Sequence, residues 1–145
     1  MFRHILIPTD GSLLSTAAVE SGVAFARDAG AQVTVLAVVE PYHVWWADTG
    51  SPSESEVAGQ KEVGDDISRH LAEVERKAKE QGVPCTVLQV THEHPYRAII
   101  DTAKTSGCDL IAMASHGRRG VAALVEGSET TKVLTHSSIP VLVYR

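Results

Sequence analysis

The 145-residue chain carries 13 basic and 18 acidic side chains, a formal net charge of -5, and is 43% apolar and 21% charged. A chain of that size buries a core without disulfides or a structural metal, and its acidic balance excludes the broad basic footprint of a general duplex-DNA binder. Cys85 and Cys108 form no CxxC pair and no run nears the roughly 18 apolar residues of a membrane helix, so a cytoplasmic, reducing setting is expected.

In chain order, the first element is a short β-rich run at 4–7, ended by Pro8 and Asp10. A helix follows, capped by Ser12 and stopped at Gly30, with Leu14, Ala17, Ala18, Ser21, Gly22, Phe25 and Ala29 as its apolar stripe. A second run spans 32–39. The connection from Glu40 to about Ser55 is long and holds Trp45 and Trp46, either as a ligand lid or as packing. The next helix follows Val63, Ile67, Leu71, Val74 and Ala78 to a stop near Gly82, with Gly59 and Gly64 weakening its start. A third run, 85–90, precedes a helix opened by Pro95, with Ala98, Ile99 and Ala103 inward, that stops at Gly107. The fourth run is 110–114. A last helix begins near Ser128 and carries Val133 and Leu134, and the fifth run goes from Ile139 to Tyr144.

Most of these runs are continuously apolar, as in strands buried on both faces. Strict β-α alternation predicts one α/β domain, 1–145: a doubly wound parallel sheet with right-handed crossovers and helices on both faces. Ligands of such sheets sit beyond the carboxyl ends of the strands. Three stretches reach that edge: Pro8-Thr9-Asp10-Gly11-Ser12, Val38-Val39-Glu40 and Ala114-Ser115-His116-Gly117.

The stretch "MASHGRRGVAALVEGSE", 113–129, supplies what a phosphate needs. Gly117 permits a tight turn, Arg118 and Arg119 bring charge, and Gly127-Ser128 opens a helix whose first N–H groups attract anions. Ser128 and Thr130 add hydroxyls. No Gly-Lys-Ser/Thr follows the glycines, so this is not a P-loop. A plain turn before a capped helix fits the same spacing. Asp10 reads as a ligand contact or as a brace for the first helix. His92-Glu93-His94 alternates across a strand end with no third ligand, which argues against a metal. Ser115-His116 lacks an acid partner and adjacent residues rarely share a productive geometry, which argues against a hydrolase.

On these residues the sequence resembles the universal stress protein family along its whole length. The blocks that carry the resemblance are "ILIPTDGS", "VTVLAVVE" and "CDLIAMASHGRRGVAALVEGSETTKVLTHSSIPVLVYR". ATP-binding members of the family show Gly-x2-Gly-x9-Gly-Ser/Thr, and the frame here is Ala114-x2-Gly117-x9-Gly127-Ser128. The resemblance implies strand order 3-2-1-4-5 and ATP or a related nucleotide between strands one and four. It implies Pro8, Thr9, Asp10, Val38, Met113, Ala114, Gly117, Arg118, Gly127, Ser128, Glu129 and Thr130 around that nucleotide. Asp10 would lie near ribose or adenine and Val38 at the adenine. It also implies a homodimer in which the run from Ile139 to Tyr144 pairs antiparallel with its copy. Ala114 replaces the first glycine, which costs little where φ is negative. Glu126 and Glu129 flank the Gly-Ser, and Arg118, Arg119 or a bound Mg²⁺ would offset their charge.

Three functions are compatible with these residues. One is a nucleotide-binding regulatory module of the stress response. Another is a slow ATPase, for which no general base or metal-binding carboxylate pair is evident beyond Asp10. The third is a nucleotide-free interaction dimer.

Overall fold

The computed structural model describes residues 1–41, 54–115 and 128–145, and only the backbone of 13, 14 and 54–63. The elements run β1 (His4–Thr9), α1 (Leu13–Ala29), β2 (Gln32–Val39), α2 (Glu54–Glu80), β3 (Cys85–Thr91), α3 (Pro95–Thr105), β4 (Leu110–Ala114), α4 (Glu129–His136) and β5 (Val141–Tyr144). Four boundaries differ from the sequence reading. β1 runs on through Pro8 to Thr9, and β3 runs one residue further, to Thr91. α2 starts at Glu54, so neither Gly59 nor Gly64 delays it; two glycines spread over 27 residues are outweighed by the helix formers around them. β5 starts two residues late, because Pro140 lacks the N–H a ladder needs.

The five strands form one parallel sheet in the order β3-β2-β1-β4-β5. Successive side chains of β1 divide the core between the two faces. Ile5 and Ile7 join Val19, Val23 and Ala26 of α1 and Leu71, Val74 and Ala78 of α2. Leu6 joins Ile99, Ile100 and Ala103 of α3 and Val133 of α4. The fold is therefore doubly wound, with α1 and α2 on one face and α3 and α4 on the other. The inner strands are buried along most of their length, β4 throughout. β3 alternates between half-buried and exposed positions and β5 is half-buried along its length, as befits edges.

The inward face of α1 corrects the stripe expected from spacing. Ser15, Ala18, Val19, Gly22, Val23 and Ala26 are buried, whereas Ala17, Ser21 and Phe25 face outward. Two overlapping sets at helical spacing compete in this segment, and the one richer in small and β-branched residues fits against the sheet. Gly22 shows how closely: a Cβ built there would lie 2.5 Å from Ile7 Cδ1. In α4, Val133 is fully buried but Leu134 is 51% exposed, so the helix turns one of its two apolar residues outward.

Pro8 explains where the sheet opens. β1 pairs with β2 at six positions, His4 through Thr9, but with β4 only at Ile5–Leu110 and Leu6–Ile111. Arg3 gives its carbonyl to β2 through Gln32 N–H, and His4 gives its carbonyl to Asp109 at the start of β4. By that alternation the main-chain groups of residue 8 face β4, and a proline has no N–H to offer there. The β1–β4 ladder stops short of it. Ile7–Thr9 and Ala112–Ala114 thus continue to the carboxyl edge outside the ladder, at the point where the chain switches from one side of β1 to the other.

Candidate functional site

The turn after β1 is a closed hydrogen-bond network. Gly11 takes a positive φ of 78° that lets the chain reverse into α1. Asp10 Oδ1 accepts from Ser12 N–H at 2.9 Å and from the Ser15 hydroxyl at 2.8 Å. Ser12 caps α1, its Oγ accepting from Ser15 N–H at 3.2 Å. Thr9 Oγ1 lies 3.2 Å from Ser15 Oγ and 3.0 Å from His70 Nε2, and accepts from Gly11 N–H at 3.3 Å. Thr9 and Ser15 are 5% and 4% exposed, so water does not replace these bonds. Asp10 braces the first turn of α1 as well as standing at the carboxyl edge.

Across the opening, β4 ends in Met113 and Ala114. Met113 is buried among Leu6, Leu36 and Ile100, so its side chain serves the core and only its backbone nears the edge. Ala114 has no positive φ, and a methyl in place of the glycine that the resemblance implies therefore meets no backbone strain. Its carbonyl accepts from the buried Thr130 hydroxyl at 2.7 Å, which fastens α4 to the end of β4. Pro8 is buried in the sheet, and Val38, half-buried, packs against the cluster under α3.

Ser128 is the cap of α4, with ψ 153° and its Oγ accepting from Thr131 N–H at 3.1 Å. Glu129 does not project freely. One carboxylate oxygen accepts from Tyr96 N–H at 2.8 Å, and the other lies 3.2 Å from Lys132 Nζ. Glu129 thereby joins the N-terminus of α3 to α4, with much of its charge compensated locally. Gly117, Arg118, Gly127, Arg119 and Glu126, like Trp45 and Trp46, lie outside the described residues.

The structure thus brings Thr9, Asp10, Ala114 and Thr130 to neighbouring strand ends, with Ser128 and Glu129 on the helix tied to them. Reading the sequence missed Ser15 and His70. Ser15 stands three residues after the cap, a position from which a hydroxyl can reach back, and that spacing was a usable signal. No local signal marks His70, because only the packing of α2 brings it to a residue 61 positions away. Burial, aided by Glu75 near Cys85 and Asp109 beside Cys108, pushes each thiol up to about 11 and so disfavours the nucleophilic thiolate near neutral pH. The His92 and His94 rings lie 6.1 Å apart, tilted at 55°, and His92 Nδ1 accepts from His94 N–H. No group of three or more potential metal ligands occurs among the described residues, and none of their helices is long and apolar enough to cross a membrane.

Comparison with known proteins agrees with this architecture. The model of the universal stress protein family matches residues 1–145. Universal stress protein YxiE of Bacillus subtilis is 30% identical, over all of both chains. The solved structure of MJ0577 of Methanocaldococcus jannaschii superposes with a TM-score of 0.81 at 25% identity, covering 99% of this chain and 95% of that one. A universal stress protein solved in complex with cAMP superposes at 0.75 and 21% identity, covering 99% and 97%. The family match over the full length, together with a relative 30% identical over all of both chains, shows that this chain belongs to the universal stress protein family.

Proposed function

We propose that this protein binds an adenine nucleotide, ATP foremost, at the carboxyl edge between β1 and β4, and works as a homodimeric regulatory module rather than as a catalyst. The observation that carries the reading is the open β1–β4 edge. It is flanked by Asp10 on one side and by Ala114, with negative φ, on the other, while α4 is fastened to the same strand end through Thr130. The spacing from Ala114 to Gly127-Ser128 then returns the chain to a helix N-terminus suited to phosphate. A family relative of the same fold was solved with cAMP, an adenine nucleotide. Mg²⁺ would accompany the polyphosphate and, with Arg118 and Arg119, offset Glu126.

Calorimetry with ATP and adenosine tests this on the wild type and on Gly127→Val and Ser128→Ala. Phosphate contacts make ATP bind much more tightly than adenosine, Gly127→Val blocks close approach, and Ser128→Ala costs about 0.5–1.5 kcal/mol. Equal affinity for the two ligands, with Gly127→Val silent, leaves the nucleotide-free interaction dimer as the better reading. Steady-state phosphate release is expected to be slow or absent.

A further inference from the structure

We propose that His70 is a positioning residue for the nucleotide site, which sets the Asp10 carboxylate through the directional chain His70–Thr9–Ser15–Asp10. The inference rests on the nucleotide reading of the edge, but the chain itself is a property of the free protein.

The direction follows from counting hydrogens. An ionised carboxylate only accepts, so the 2.8 Å contact between Ser15 Oγ and Asp10 Oδ1 requires the Ser15 hydrogen. Were that hydrogen turned to the Ser12 carbonyl at 3.1 Å instead, two oxygens bearing only lone pairs would face each other at 2.8 Å. With its hydrogen committed, Ser15 Oγ only accepts: its two lone pairs meet Thr9 and the Ser12 hydroxyl, each at 3.2 Å, with Asp10 N–H further off at 3.4 Å. Thr9 then has its one hydrogen directed at Ser15 and one lone pair occupied by Gly11 N–H. Its remaining lone pair faces His70 Nε2 at 3.0 Å, which makes His70 the donor through Nε2–H. In this arrangement the Thr9–His70, Thr9–Ser15 and Ser15–Asp10 contacts each carry a hydrogen. The opposite arrangement, Thr9 giving its hydrogen to His70, leaves the 3.2 Å Thr9–Ser15 contact with no hydrogen in it, at two buried hydroxyls. Hydrogen bonds in such chains polarise one another. A donor on α2 therefore fixes the orientation of an acid on the loop after β1, and links the helix that follows the long connection after β2 to the site.

Three measurements on the full chain test this. Long-range ¹⁵N correlation of the ligand-free protein at pH 8 is expected to show His70 protonated on Nε2; an Nδ1–H tautomer overturns the proposal. The Asp10 carboxyl ¹³C shift is expected to move in His70→Ala and to return in His70→Gln, whose amide N–H can donate in the same place; no movement, or no return, overturns it. ATP affinity is expected to fall about two- to ten-fold in His70→Ala, to recover in His70→Gln, and to be unchanged by His70→Ala when Ser15→Ala has already cut the chain. Additive losses would mean that His70 acts by another route. If the wild type binds no adenine nucleotide, the positioning role falls together with the site. The tautomer and the carboxyl shift then decide separately whether the chain orients Asp10.

Discussion

At the scale of single residues, Gly22 is fixed by what lies beneath it. Ile7 is fully buried, and both its Cδ1 and Cγ1, at 2.5 and 3.3 Å, stand where a Cβ of residue 22 would go. Helix propensity favours alanine by about 1 kcal/mol, whereas overpacking a buried contact costs about 1–3 kcal/mol. Gly22→Ala is therefore expected to lose about 1 kcal/mol net, and Ile7→Val to cost less in that background than in the wild type. Urea unfolding of the four variants of this cycle measures the coupling. Asp109 makes a second prediction. Its carboxylate accepts from Arg3 N–H and His4 N–H at 2.9–3.1 Å, tying the start of β4 to the start of β1. Burial alone would raise its pKa, but the backbone N–H groups of His4 and Arg3 outweigh it and hold the carboxyl below its usual range. A depressed folded-state pKa contributes stability in full above the unfolded value of about 3.9, and that contribution disappears as pH falls through the folded value. Asp109→Ala should thus cost about 1–2 kcal/mol at neutral pH, with the gap to wild type closing as pH falls through the depressed folded-state value. Unfolding midpoints from pH 7 to 2.5 check it. At this scale the sequence announced Asp10, Ala114 and Ser128, because motif spacing and strand ends are local. It did not announce His70 or Asp109, whose partners lie on other elements.

Elements were legible where one signal dominated. β2 and β4 have the expected bounds because each is a buried apolar run between clear breaks, and α3 begins where Pro95 at its first turn demands. α1 was legible as a helix but not in its facing, since Ala17–Ser21–Phe25 and Val19–Val23–Ala26 both repeat at helical spacing. Only contact with Ile5 and Ile7 chooses between them. α2 was misjudged at its start, because glycine lowers helix stability by about 1 kcal/mol without ending a helix. That excess is recoverable at Gly64. Its φ is not positive, and a Cβ added there meets nothing within 4 Å. Gly64→Ala is expected to raise stability by about 0.5–1 kcal/mol and to leave ATP affinity unchanged, as it touches neither core nor edge. A thermal melt with and without ATP reads both. The ion pairs along the same helix, Arg69–Asp66, Arg76–Glu73 and Arg76–Glu80, are exposed and add little by comparison.

For the whole molecule, the two sheet edges differ. β3 shows polar Thr86, Gln89 and Thr91 outward, while β5 is the apolar run Val-Leu-Val-Tyr, half-buried by its own chain. An apolar edge of that kind is a template for further pairing, which supports the proposed homodimer through β5. The register tells which groups are available for it. Ile111 N–H takes the Pro140 carbonyl and Ser115 N–H takes the Tyr144 carbonyl. With Ile111 opposite Val141 and Met113 opposite Val143, the alternation of a parallel ladder directs the main-chain groups of Leu142 and Tyr144 to β4. Those of Val141 and Val143 turn to the outer edge. The two kinds of proline substitution should therefore separate folding from assembly. Val143→Pro removes an outward N–H and spares the ladder, so it is expected to give a monomer with unchanged far-ultraviolet circular dichroism. Leu142→Pro removes an inward N–H and should cost several kcal/mol of stability, on the order of a proline placed inside a regular element. Sedimentation at micromolar concentration is expected to show a wild-type dimer and a Val143→Pro monomer. A Val143→Pro protein that still sediments as a dimer would place the interface elsewhere on the molecule.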